Sequence, residues 1–154
     1  TAKFQLAWNG NTQFGAQASA AGVNAVVTLQ KLGVNSGLST WIQPQAGGPI
    51  YLANTYNTAH PLVLDVTLPA GNGSSHTSGS GPVLFLNNLV AGSQTQQWQV
   101  QGNSPVTIRN TGLSTSLNQN LVIDNAGGNS QAFNAIQVWG ANGNNNQNWL
   151  QLAV

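Results

Sequence analysis

The chain has 154 residues, of which three are basic and two acidic, and no cysteine. Three scattered cations cannot neutralise a phosphate backbone or hold an anionic membrane surface, and no apolar run is long enough to span a bilayer, so nucleic acid and membrane insertion are excluded as partners. Without cysteine there is no disulfide, no thiolate metal site and no cysteine nucleophile.

The predicted elements are short and extended. Runs rich in Val, Ile, Leu and aromatic residues recur at 25–29, 61–64, 83–86 and 135–139, divided by clusters of Gly, Asn, Ser and Pro. That alternation reads as β-strands and turns, and no stretch carries a clean helical period. About four strands in each of three repeats gives about twelve in all. Closing them into a barrel would remove the exposed sheet edges that a nearly uncharged surface cannot guard. The fold class is therefore all-β.

The repeat is marked by the two acids. Asp65 closes Leu62-Val63-Leu64-Asp65 and Asp124 closes Leu121-Val122-Ile123-Asp124, 59 residues apart. Each is followed by a Gln-x-Trp, at Gln96-Gln97-Trp98 and Gln147-Asn148-Trp149, and Ser39-Thr40-Trp41 supplies a third copy. Counting back from Trp41 places Ala7 where the other copies have Asp. A Pro-led motif ending in Asn-Thr, at 49–55 and 105–111, follows Trp41 and Trp98 at nearly constant distance. The chain thus divides into one domain, 1–154, of three copies at about 1–55, 56–111 and 112–154.

A three-fold all-β repeat marked by Gln-x-Trp resembles the ricin B-type lectins, the β-trefoil lectins. The third copy carries the closest match: Asp124, a turn at Gly127-Gly128, Asn134-Ala135-Ile136-Gln137-Val138-Trp139, then Asn146-Gln147-Asn148-Trp149. The resemblance implies a sugar-binding module for galactose- or N-acetylgalactosamine-type glycans, without a cofactor. By position, Asp124 would accept bonds from two sugar hydroxyls, Trp139 would stack on the pyranose and Asn146 would bind a hydroxyl through its amide. Gln137 and Gln147 would stand behind them. The chemistry of the side chains agrees. A carboxylate accepts two hydrogen bonds at once, a flat ring covers the C–H face of a sugar, and an amide both donates and accepts. The remaining tryptophans of the repeat mark, Trp41, Trp98 and Trp149, are expected in the core.

Copy two offers a second candidate site at Asp65, Phe85 and Thr95, with Leu84-Phe85-Leu86 matched to Gln137-Val138-Trp139. Copy one has Ala7 for the acid and Leu29 for the stacking Trp, and is expected not to bind. One working site per chain would need a homodimer, or a second working copy, to cross-link cells.

Glycoside hydrolysis needs two carboxyl groups flanking one bond. The two acids stand in equivalent positions of different copies, and nothing marks a nucleophile, so the chain is expected not to be an enzyme. His60 and His76 form no ligand pair, so no metal is expected. The alternative is a β-trefoil protease inhibitor, or another protein-binding module, acting through an exposed loop, with the Ser- and Gly-rich segment 71–81 as the candidate. No charged-then-apolar leader opens the sequence, and with no cysteine this favours a cytoplasmic location; secretion stays open.

Overall fold

The computed structural model describes residues 2–66 and 82–154. Its strands are β1 (Lys3–Trp8), β2 (Phe14–Ala18), β3 (Val27–Lys31), β4 (Trp41–Ile42), β5 (Tyr51–Leu52) and β6 (Leu62–Val66), then β7 (Leu84–Asn88), β8 (Trp98–Gly102), β9 (Val106–Asn110), β10 (Leu121–Asn125), β11 (Asn134–Gly140) and β12 (Trp149–Ala153). Twelve strands among the described residues match the expected number. Following the pairings from β12 through β9, β10, β11, β3, β2 and β1 returns to β12, so the sheet closes on itself. The architecture is a β-trefoil.

The three-fold order is visible in the hydrogen bonds. Hairpins β2–β3, β6–β7 and β10–β11 pair internally in the same register. Their edges join around the axis: β11 to β3 at Asn134–Leu29, β3 to β7 at Val26–Phe85, and β7 to β11 at Val83–Gln137. Beneath them Trp41, Trp98 and Trp149 are all fully buried. Their indole nitrogens donate to the carbonyls of Ala16, Leu64 and Ile123 at 3.2, 3.1 and 3.1 Å. A buried indole needs such a partner, and each finds it on the middle strand of its own copy. The expectation that the repeat tryptophans are core residues holds.

Three corrections follow. Four-strand units run β1–β4, β5–β8 and β9–β12, so Tyr51-Leu52 and Val106–Asn110 open the next copy instead of closing the last; boundaries after 55 and 111 fall too late. The position of Asp65 and Asp124 in copy one is Gln17, not Ala7. Gln17 follows the carbonyl that takes Trp41, as Asp65 and Asp124 follow those that take Trp98 and Trp149. Ala7 lies one strand earlier, in β1, and is buried.

The third correction is a helix, α1 (Thr111–Leu117), in a chain read as all strand. Asn110 caps it, its Oδ1 accepting from the Leu113 amide at 2.9 Å, and Asn118 ends it in the left-handed region at φ 52°. Those are ordinary start and stop signals. The segment between them, Thr-Gly-Leu-Ser-Thr-Ser-Leu, is too short and too rich in β-branched and hydroxyl residues to show a period.

Candidate functional site

Asp124 lies near the end of β10, directly across the hairpin from Gln137 of β11. It is 1% exposed. A lone carboxylate at that depth would be costly, and the sequence surrounds it with amide donors. Asn146 Nδ2 and Gln147 Nε2 give bonds of 2.9 and 3.0 Å to Oδ2, and Gln137 Nε2 gives a longer one of 3.4 Å to Oδ1. Burial raises the Asp124 pKa above the ordinary carboxylate value, and the bonds from Gln147, Asn146 and Gln137 pull it partly back. The two oxygens are unequal: Oδ2 carries the two short bonds, whereas Oδ1 has only the long one and retains acceptor capacity.

Gln147 does more than bond the acid. Its Oε1 accepts from the Asn142 amide at 2.9 Å and its Nε2 also donates to the Gly140 carbonyl at 2.9 Å. One side chain thus ties the 140–147 loop to the carboxylate. The Gln of Gln-x-Trp is a clamp, and Gln147 lies behind the site.

Above Asp124 opens a cleft of about 590 Å³ whose other lining side chains are uncharged. Of the residues expected at a site, Asp124, Gln137, Trp139 and Asn146 line it together. Trp139 is half-buried, on the β11 side. Sequence reasoning missed the rest of the lining: Gly127 and Gly128 as walls, Asn142, Asn144 and Asn145 on the rim, and Trp8 with Gly10 from the turn after β1. Trp8 belongs to copy one, so the cleft spans the seam between the last copy and the first. Its indole donates to the Asn145 carbonyl at 3.0 Å, and neighbouring Asn9 Nδ2 donates to Asn145 Oδ1 at 2.8 Å. A signal was present: Trp8 and Trp139 are the two of five tryptophans that lie outside the repeat mark.

The second candidate site is built differently. Asp65 is again buried and again clamped, with Gln96 Nε2 donating to Oδ2 at 3.1 Å and to the Asn88 carbonyl at 2.8 Å, while Gln96 Oε1 accepts from the Val90 amide at 2.8 Å. Its Oδ1, however, is taken by the amide of its own neighbour Val66 at 2.8 Å. Phe85 faces Asp65 as Gln137 faces Asp124, and the place of Trp139 is held by Asn87, which donates to Asp65 Oδ2 at 3.0 Å. The match of Leu84-Phe85-Leu86 to Gln137-Val138-Trp139 was therefore one residue early. The Thr95 hydroxyl bonds Ser93 at 3.2 Å and not the carboxylate.

In copy one the same register pairs Gln17 with Thr28 and puts Gln30, not Leu29, at the Trp139 position; Leu29 is core. Gln17 Oε1 is buried without a hydrogen-bond partner, as an acceptor with no donor clamp around it would be. His76 and the 71–81 loop, and with them the inhibitor reading, lie outside the described residues. Among the described residues no group of His, Cys, Asp and Glu could hold a metal.

No family model and no curated protein matches the chain. Solved structures do. The designed three-fold symmetric protein ThreeFoil superposes with a TM-score of 0.71 at 13% identity over 99% of both chains. The C-half of an earthworm R-type lectin, in complex with GalNAc, gives 0.62 at 18% identity over the full length of both. The exo-β-1,3-galactanase 1,3Gal43A of Clostridium thermocellum gives 0.70 at 18%, with this chain spanning 30% of its length. At these identities the likeness establishes the fold: the resemblance to ricin B-type lectins holds at the level of the β-trefoil.

Proposed function

We propose that the chain is a single carbohydrate-binding domain whose working site is the cleft over Asp124, and that it binds glycans without cleaving them. The observation that carries this is the pairing of a buried, amide-clamped carboxylate having one underused oxygen with a half-buried tryptophan in the same cleft. Two adjacent sugar hydroxyls donate to Asp124, where charge-assisted bonds in a partly dry setting are strong. The ring of Trp139 covers the C–H face, and the Asn146 amide is within reach of a further hydroxyl. Few polar anchors and one aromatic wall are the usual make-up of a small-ligand site. The galactose- and N-acetylgalactosamine-type preference follows the resemblance to ricin B-type lectins, and the structure of the earthworm lectin neighbour holds GalNAc.

The count of acids supports binding without cleavage. The second acidic side chain, Asp65, serves its own copy and is occupied there by Val66, Asn87 and Gln96.

A glycan array and calorimetric titration with GalNAc test the reading on the wild type, Asp124→Ala, Trp139→Ala and Asp65→Ala. A galactose-type signal lost in Asp124→Ala, weakened several-fold in Trp139→Ala and kept in Asp65→Ala supports it. Since Asp124 also holds the 140–147 loop, thermal melts accompany each variant; Trp139→Ala, which leaves the clamp in place, is the decisive one. Affinity unchanged by both Asp124→Ala and Trp139→Ala, or binding that vanishes with Asp65→Ala in a folded protein, would overturn the site. Silence of the wild type on all glycans would overturn the function.

A further inference from the structure

The proposed sugar contacts use only part of the cleft. Beyond Asp124, Trp139 and Asn146 its lining continues over Gly127 and Gly128 to Trp8 and Gly10, with Asn144 on the rim. This part is also built. Gly127 and Gly128 stand successively at φ 68° and 66°, in the left-handed region where a side chain would be strained. A Cβ on Gly128 would stand 3.8 Å from the Asn146 side chain and 4.0 Å from the Trp8 ring, in the space between them. Gly128 therefore leaves a side-chain-sized space beside Asn146 and Trp8 unfilled. On the far side, the Trp8 ring is held against Gly10, whose own Cβ would fall 2.4 Å from it. Trp8 is 5% exposed and anchored through its indole nitrogen, so it forms a fixed wall.

Every group in this stretch is neutral: bare glycine backbone, amide side chains and an aromatic edge. Asn145 is committed to Trp8 and Asn9, but Asn144 is exposed, and no described residue engages its side-chain amide. The cleft, about 590 Å³, falls in the ~300–1,000 Å³ range typical of small-molecule sites. Among the described residues copy two has no counterpart. There the position of Trp8 is Asn110, which caps α1, and the place of Gly10 is Gly112 within α1, which packs against the turn Gln94–Gln96.

From this we infer that the site takes at least two linked sugar units: one on Asp124 and Trp139, the next along Gly127-Gly128 between Trp8 and Asn144. The inference rests on the carbohydrate reading above, and it makes Trp8 and Asn144 the residues that set linkage preference. The second unit lies on glycine backbone, donates to or accepts from the Asn144 amide, and is confined by the Trp8 wall.

The test is calorimetric titration of the wild type, Asn144→Ala, Gly10→Ala and Asp124→Ala with GalNAc, galactose and a panel of galactose-terminated disaccharides differing in linkage. At least one disaccharide should bind the wild type ~10-fold or more tighter than either monosaccharide, and others no better, because the wall admits one direction of extension. Asn144→Ala, an exposed change, should cost that disaccharide ~3–10-fold while affecting the monosaccharides less, as loss of one hydrogen bond would. Gly10→Ala, which pushes on Trp8, should shift the ranking of linkages. Equal affinity of the wild type for monosaccharides and every disaccharide, with Asp124→Ala abolishing both, would overturn the two-unit site and leave the lectin reading standing. Sugar binding untouched by Asp124→Ala, or none at all, would overturn both.

Discussion

The seams after copy two and after copy three start from the same parts and end differently. Each has an acid clamped by a Gln-x-Trp glutamine, and each receives the first strand of the next copy beside it. After copy three that strand ends in Trp8-Asn9-Gly10, a bare turn, and a cleft stays open. After copy two it ends in Asn110 and continues as α1. Asn110 Nδ2 donates to the Thr95 carbonyl at 2.9 Å, and Gly112 comes so close to the turn below that a Cβ would stand 2.6 Å from the Gln94 backbone. The acid and its clamp thus belong to the repeat as structure, since they fasten the loop after the hairpin. What makes one of them a candidate site is the neighbour: a ring at Trp139, and a next copy that leaves room.

The comparison can be broken at its strongest point first. Asp124→Ala should abolish glycan binding, a loss of more than ~100-fold if two charge-assisted bonds go, whereas Asp65→Ala should cost stability and leave binding intact; titration beside urea denaturation separates the two. Gly112→Ala comes next. With backbone in the way the helix must lift off its turn, at about 1–3 kcal/mol, read as a lower urea midpoint with GalNAc affinity unchanged. Trp139→Ala should weaken binding ~3–10-fold through lost stacking, with a smaller change in melting temperature than Gly112→Ala.

Acid gives a subtler effect. Because burial holds the Asp124 pKa above its unfolded value, the folded chain binds this proton more tightly than the unfolded chain. This group's contribution to stability therefore rises as pH falls through the folded value and levels off below the unfolded one. Binding moves the opposite way, since protonation removes an acceptor. Affinity should begin to fall at a higher pH than an ordinary carboxylate would give, while the thermal midpoint shows no loss from this residue. A binding curve flat to pH 4 would show that Asp124 does not meet the ligand as a carboxylate.

Much of the fold was legible because repetition multiplies weak signals. One Gln-x-Trp says little; two of them and a Ser-x-Trp in order, with Asp before two of the three, define the copies. The candidate site was legible for the same reason: Asp124, Gln137, Trp139, Asn146 and Gln147 lie in one copy at family-like spacing. What went wrong was register. In a strand, a slip of one residue moves a side chain to the opposite face, so Leu84-Phe85-Leu86 looked equivalent to Gln137-Val138-Trp139 although Leu84 and Leu86 are core residues and Phe85 and Asn87 share the face of Asp65. Hydrophobicity alone did not separate the frames, because Phe85 is apolar on either face.

The sequence by itself determined the three-fold β fold, the buried tryptophans of the repeat and the two acids in equivalent places, because each of these is a local pattern repeated along the chain. Only the tertiary structure decided which glutamine stands in for the missing acid, that Asn87 fills the place of a stacking ring, and that Trp8 walls a cleft begun 116 residues later at Asp124. Those are contacts between strands that closure of the barrel brings together, and no local period in the chain encodes them.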